Sequence, residues 1–308
     1  MTGPAVPAGF PDAEAIEAIN ARASVFMQQG IRLLQSDNDA ANALLHFDRA
    51  LQLRRRLPTE VPVHAYSLAA CWLNRAEALT CLGPVYRTLA LSAYDEALAL
   101  LGPLPLCEDP RFSRRLAIAH QNRALVLAAQ NPPATADAVE ALASAIAVLD
   151  HAEAMETPER DFLLAVAWMN LANIHASQAT NASDLAAQLA AQRALALVEA
   201  KEHDDAPAAE TGLKARHVLC RILARRLSDQ PESETHITNV HDATDLADEG
   251  LELAREWERR GIGRLRNLAS DLFQFGAKVY AQYQPHFLDE FLGEHLGSRR
   301  TASGVTGS

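Results

Sequence analysis

Cysteine is scarce in this chain of 308 residues, which has four: Cys71, Cys81, Cys107 and Cys220. None forms a CxxC pair, and no His/Cys group has zinc-like spacing. That sets aside a disulfide framework and a structural zinc site, and suits thiols in a reducing compartment. Aromatic residues make up only 6%, while alanine and leucine dominate, which favours closely packed helices over sheet. Cationic side chains are outnumbered, 28 Lys and Arg against 39 Asp and Glu, for a formal net charge of −11. A general nucleic-acid binder needs cationic surface facing phosphates, so no nucleic-acid partner is expected. Met1 to Phe10 has neither the basic start nor the apolar core of a signal peptide. No run approaches the roughly 18 apolar residues of a membrane span. A cytoplasmic location without membrane attachment is therefore expected.

Chemical motifs are missing too. The scattered histidines show no HExxH and no ligand spacing, and Gly261-Ile262-Gly263 lacks the third glycine and the preceding strand of a dinucleotide loop. Asp/Glu pairs are frequent because the chain is acidic, and no nucleophile–base arrangement stands out. The sequence gives no reason to expect catalytic residues, a cofactor or a metal.

What is present is repetition. Trp72-Leu73-Asn74-Arg75-Ala76 is followed 48 residues on by His120-Gln121-Asn122-Arg123-Ala124, and 48 further by Trp168-Met169-Asn170-Leu171-Ala172. A fixed period in this range marks a solenoid array. Such an array grows without splitting into ordinary domains, because each repeat contacts its neighbours.

Between Pro/Gly breaks the apolar residues recur at helical spacing. Helical periodicity starts near Asp12, and Ser36-Asp37-Asn38-Asp39 offers capping chemistry for the next helix. Arg54, Arg55 and Arg56 close that helix, where cations meet its negative end. Antiparallel pairs then follow near 63–83 and 86–101, 111–130 and 134–154, 158–178 and 183–201, 208–228 and 239–258, and 262–283 and 286–296. Twelve helices in six pairs are expected. The expected organisation is a disordered N-terminus over 1–11, a solenoid over 12–284, a capping helix over 285–296 and a disordered tail over 297–308. Phe287, Leu288, Phe291, Leu292 and Leu296 give that last helix its apolar side.

These residues resemble the tetratricopeptide repeat (TPR), a helix–turn–helix unit with Trp, Leu-Gly, Tyr, Ala, Phe and Pro landmarks. Trp72 and Trp168 stand four residues before Ala76 and Ala172, and Gly83 and Gly276 stand seven after Ala76 and Ala269. Phe47-Asp48-Arg49-Ala50 and Tyr94-Asp95-Glu96-Ala97 match the aromatic-x-x-Ala landmark of second helices. The resemblance covers roughly 15–285. It departs in its long period of 48 and in the pair after Ala208, where Arg216 and Cys220 replace the landmark Trp and small residue. It implies an all-α, right-handed solenoid of about six antiparallel helix pairs, whose first helices line a concave groove.

At 100° per residue, Trp72, Arg75, Ala76, Leu79 and Gly83 share one packed side. Asn74 lies nearly opposite, with Ala70, Glu77 and Cys81. The same arithmetic gives four more strips: Ile118-Asn122-Leu125-Ala129, Val166-Asn170-Asn173-Ser177, Lys214-Val218-Arg221-Arg225 and Gly263-Asn267-Ser270-Gln274. An asparagine amide both donates and accepts, so a row of them can hold an extended chain by its backbone. The resemblance implies the same use, since the repeats of kinesin light chain and of the O-GlcNAc transferase place asparagines here. The other reading is structural, with each amide bonded to a neighbouring helix or to water.

The candidate partner-binding residues are thus Asn74, Asn122, Asn170, Asn173, Lys214, Arg221, Arg225 and Asn267. The expected partner is a protein or peptide segment, with acidic or C-terminal carboxylate character where it meets the three cations. The expected function is an adaptor or scaffold. The competing expectation is a regulator whose superhelix changes shape on binding a ligand or peptide.

Overall fold

The computed structural model describes residues 12–229 and 235–296. The expected disordered ends, 1–11 and 297–308, lie outside the described residues, as does the middle of the Ser228–Thr238 loop. The fold is all-α and helical-repeat, as expected. Twelve α-helices, and no strand, occur among the described residues. They divide between Arg160 and Asp161 into two compact units.

The first unit holds α1 (Ala13–Gln35), α2 (Ala40–Arg54), α3 (Pro62–Cys81), α4 (Arg87–Leu101), α5 (Pro110–Ala128) and α6 (Thr135–Asp150). The starts of α1, α2 and α5 follow from capping chemistry. Asp12 accepts a hydrogen bond from Ala15 N at 2.8 Å, and Asp39 one from Asn42 N at 3.1 Å. Asp109 accepts from Arg111 N, with Pro110 in the first turn, where a missing N–H costs nothing. Packing then pairs α1 with α2, α3 with α4 and α5 with α6, and stacks α2 on α3 and α4 on α5.

Alanine makes the stacking close. Ala43, Ala50, Ala69, Ala76, Ala90 and Ala97 are wholly buried, which lets helix backbones approach. The landmark aromatics fill the space between. Phe47 is fully buried and Tyr94 nearly so, and burying each such side chain contributes about 1.5–3 kcal/mol. A Cβ at Gly30 of α1 would stand 2.4 Å from Phe47 Cε1, so the α1–α2 approach demands glycine there.

The second unit holds α7 (Thr157–Gln178), whose first turn carries the division, then α8 (Asn181–Val198), α9 (Ala206–Asp229), α10 (His236–Arg259), α11 (Arg266–Tyr283) and α12 (Leu288–Leu296). Thr180 and Ser183 form a capping box at the start of α8. The core of this unit gathers Leu213, Cys220, Leu251, Trp257, Leu272 and Phe291. The landmark positions that looked degenerate are buried after all, Arg216 at 3% and Cys220 at 0% exposure. Arg216 can lie in the core because its charge is matched there. It makes two 2.8 Å hydrogen bonds to the Glu202 carboxylate. α12 seats Phe291 against Phe273 and Tyr280, with ring centroids 5.5 and 4.7 Å apart.

Two strip assignments need correction. Ala70 and Val218 were placed on open faces, but both are buried. The arithmetic assumed a helix covered on one side. α3 packs against α1, α2, α4 and α5, and α9 against α8, α10 and α11, so the open face of each is narrower than a full strip.

Candidate functional site

The open faces of α3 and α5 come together in the first unit. α3 ends at Cys81 with Leu82 as its C-cap, and Gly83 turns the chain with φ +110°. No atom lies within 4 Å of a Cβ built there, so the left-handed backbone, not crowding, requires glycine. A short 3-10 turn, Pro84–Tyr86, follows. Between this turn, the end of α3, Tyr94 of α4 and the C-terminal part of α5 lies a hollow of about 290 Å³. Glu77, Cys81, Tyr94, Asn122, Leu125 and Ala129 line it, with Thr80, Pro84 and Val126. Two strips read separately from the sequence, Glu77-Cys81 and Asn122-Leu125-Ala129, thus form one wall-to-wall site.

The hollow is largely apolar with a few polar groups at its rim. Leu125 in its lining is 45% exposed, and the turn after α3 and the start of α4 expose Val85 (89%) and Leu89 (51%). Glu77 reaches solvent, yet the apolar walls raise its carboxyl above the usual carboxylate range. Burial, and then the Glu77 charge, raise the Cys81 thiol, so it is no activated nucleophile. Burial pushes the Tyr94 phenol up to about 12, with Thr80 and Asn122 hydrogen bonding in the opposite sense.

The asparagines do not behave alike. Asn74 is half-buried and its Nδ2 donates to Ala70 O in its own helix at 2.9 Å, so its amide is partly spent locally. Asn122 faces the hollow. Asn170 is half-buried, while Asn173 and Asn267 are exposed, and none of the three has a side-chain hydrogen bond among the described residues.

The three cations on α9 differ too. Lys214 pairs with Glu210 at 2.7 Å, one turn earlier on the same helix. Arg225 holds Asp184 of α8 through two hydrogen bonds, from Nε at 3.0 Å and from Nη2. Arg221 is exposed, with no carboxylate within ion-pair distance among the described residues. Asp184 and Arg225, with Asn181, Arg226 and Asp229, line a second hollow of about 260 Å³ in this unit. Within it Arg225 is paired with Asp184, and Arg226 donates to Gln188 Oε1 at 2.7 Å.

The sequence reading missed Tyr94, Thr80 and Pro84 as parts of the first hollow. Tyr94 was assigned only a packing role, and the turn residues carried a break signal and nothing more. No group of three or more His, Cys, Asp or Glu that could hold a metal occurs among the described residues.

No family model matches the chain, and no curated protein matches it. Among solved structures it is similar to the S. pombe nuclear import adaptor Nro1, with a TM-score of 0.58 over 95% of this chain and 96% of that one. At 16% identity this likeness shows the helical-repeat fold alone.

Proposed function

We propose that the chain is a protein- or peptide-binding adaptor or scaffold of TPR-like character, not an enzyme, and that it holds a partner segment on the open faces of its first helices. The observation that carries this reading is the hollow at Glu77, Cys81, Asn122 and Leu125, where two repeat strips converge on one largely apolar site that holds a single side-chain amide. It suits an extended segment that seats one apolar side chain and is gripped along its backbone by Asn122. A solved neighbour that is itself a nuclear import adaptor supports a protein-binding role. The asparagines Asn170, Asn173 and Asn267 and the cations Lys214 and Arg221 are the corresponding contacts in the second unit, with Arg225 mainly braced on Asp184. A reducing, cytoplasmic setting belongs to the same reading, supported by four free thiols and by the absence of a membrane-spanning helix among the described residues.

The test is affinity capture from native lysate with wild type and Leu125→Asp side by side. Leu125 is exposed, so its replacement leaves folding intact. A partner retained by wild type and lost by Leu125→Asp, at equal melting temperature, supports the reading. Equal retention by both overturns it.

A further inference from the structure

Two half-buried guanidinium groups, one against the first half of α3 and one in the first half of α5, lack a counter-charge. Arg54, the last residue of α2, donates from Nη1 to Ser67 O at 2.7 Å and lies 3.4 Å from Cys71 Sγ. Its Nη2 has only a long 3.4 Å contact to Ser24 Oγ, and its Nε is buried without a partner. Arg115 of α5 stacks on the Tyr66 ring at 4.2 Å. Their neighbours are accounted for, Arg111 by Asp109 and Arg114 by Glu159. Among the described residues no carboxylate lies within ion-pair distance of Arg54 or Arg115. Burial, and then the nearby Arg54 and Arg114 charges, destabilise the cationic form of Arg115, against a favourable influence from Tyr66. Protein interiors and clefts seldom leave such charge unmatched, because desolvating it is costly.

We propose that Arg54 and Arg115 form a receiving site for a doubly charged oxyanion, a phosphorylated side chain on the segment that occupies the neighbouring hollow. This rests on the adaptor reading above and names the chemistry of the partner. A phosphate monoester carries nearly two charges and three acceptor oxygens, which matches two guanidinium forks. A carboxylate would leave one of them uncompensated.

The spacing supports one ligand across both sites. On α3, Ser67, Asn74 and Cys81 recur every seven residues, and on α5 so do Arg115, Asn122 and Ala129. Seven residues are about two turns, so each trio shares one face. Both helices therefore read in the same order: guanidinium end, amide middle, hollow end. Arg115 and Asn122 are separated by about 10 Å along the axis. An extended chain covers that in about three residues. The preferred segment carries a phosphorylated residue a few positions from an apolar one.

The probes are three degenerate peptide libraries that fix phosphothreonine, threonine or glutamate at one position. Each is passed over the immobilised full chain, its Arg115→Gln variant and an Arg259→Gln control on exposed α10 surface. Melting temperatures are taken on all three proteins. The proposal expects the phosphothreonine library to be enriched at least tenfold over the threonine library by wild type and by Arg259→Gln. It expects enrichment lost in Arg115→Gln, with apolar residues selected a few positions away. Equal enrichment of the glutamate library overturns the dianion assignment. Undiminished enrichment by a folded Arg115→Gln overturns the site. If Arg115→Gln melts early, Arg115→Lys, which keeps the charge but not the fork, replaces it and is expected to lose most of the enrichment. No enrichment in any arm overturns the phosphate site while leaving the hollow to its own Leu125 test.

Discussion

Arg216 and Glu202 form a doubly hydrogen-bonded ion pair with both side chains 4% exposed. The Glu202 backbone carbonyl also accepts from Trp257 Nε1 at 2.7 Å, so the pair fastens the turn before α9 to α9 and α10. Removing one member leaves the other charge buried. Glu202→Gln or Arg216→Met is therefore expected to cost about 3–5 kcal/mol in urea unfolding. The double change Arg216→Met with Glu202→Leu is expected to recover much of that loss, which a double-mutant cycle would show. Equal losses that simply add would mean that the pair is not coupled.

Gly212 tests the same packing from the backbone side. A Cβ there would meet Glu202 Oε2 at 2.4 Å and Arg216 Nη1 at 3.2 Å. Alanine ordinarily stabilises a helix interior by roughly 0.5–1 kcal/mol relative to glycine. Gly212→Ala is expected instead to destabilise, because the ion pair must shift. A rise in melting temperature would show that the pair has room to move.

The seating of α12 is the next test. Phe291 is 3% exposed between Phe273 and Tyr280, and Tyr280 donates to Asp248 at 2.7 Å, where His295 also approaches at 3.3 Å. A Cβ on Gly276 would lie 2.8 Å from Phe291 Cζ, so α11 leaves a slot for this ring. Phe291→Ala is expected to cost about 3 kcal/mol or more and to expose apolar surface to a reporter dye. A variant as stable as wild type would mean that α12 is only loosely seated.

Much of this was legible in the sequence because helical periodicity and capping residues are local signals. Asp12, Asp39 and Asp109 cap the helices that the breaks announced, and Leu125 and Asn122 fall on the open side that the period assigned to them. What was not legible depends on which distant helices meet. Arg225 finds Asp184 41 residues away, and no periodicity reveals that a cation on an exposed strip is already paired. Arg216 looked like a lapse from the repeat until Glu202, 14 residues earlier, was seen to neutralise it. The first hollow needed the Gly83–Tyr86 turn to bring two separately read strips to one place.

Glu77 gives a pH-dependent test. Burial by the hollow raises its carboxyl in the folded chain, so the folded state prefers the protonated form. Its ionised form therefore costs stability at neutral pH, and the cost disappears as pH falls below the ordinary carboxyl range. Glu77→Gln is expected to melt slightly higher than wild type at pH 7, with the difference shrinking towards pH ~4. A difference that is constant with pH, or of opposite sign, would show that Glu77 is stabilised as a charge. Partner occupation of the hollow is expected to enlarge the difference.

The last prediction separates bracing from binding among the residues that the sequence singled out. Asn74 bonds to its own helix and Arg225 to Asp184, whereas Asn122 lines the hollow beside the Tyr94 hydroxyl and exposed Arg221 has no carboxylate within ion-pair distance among the described residues. Arg225→Glu should set two carboxylates against each other and lower stability by at least about 1 kcal/mol. Arg221→Glu should leave the melting temperature unchanged. Asn74→Ala should be neutral or slightly stabilising, because alanine is the better helix former. Asn122→Ala should likewise spare stability but weaken the captured partner by roughly fivefold, the equivalent of one neutral hydrogen bond of about 1 kcal/mol. If Arg221 meets an acidic stretch of that partner, Arg221→Glu weakens binding at low salt and progressively less as ionic strength rises. Melting temperature and partner affinity on the same four variants decide the matter. An Asn122→Ala protein that melts several degrees lower and binds as wild type would make that amide structural and move the binding surface elsewhere.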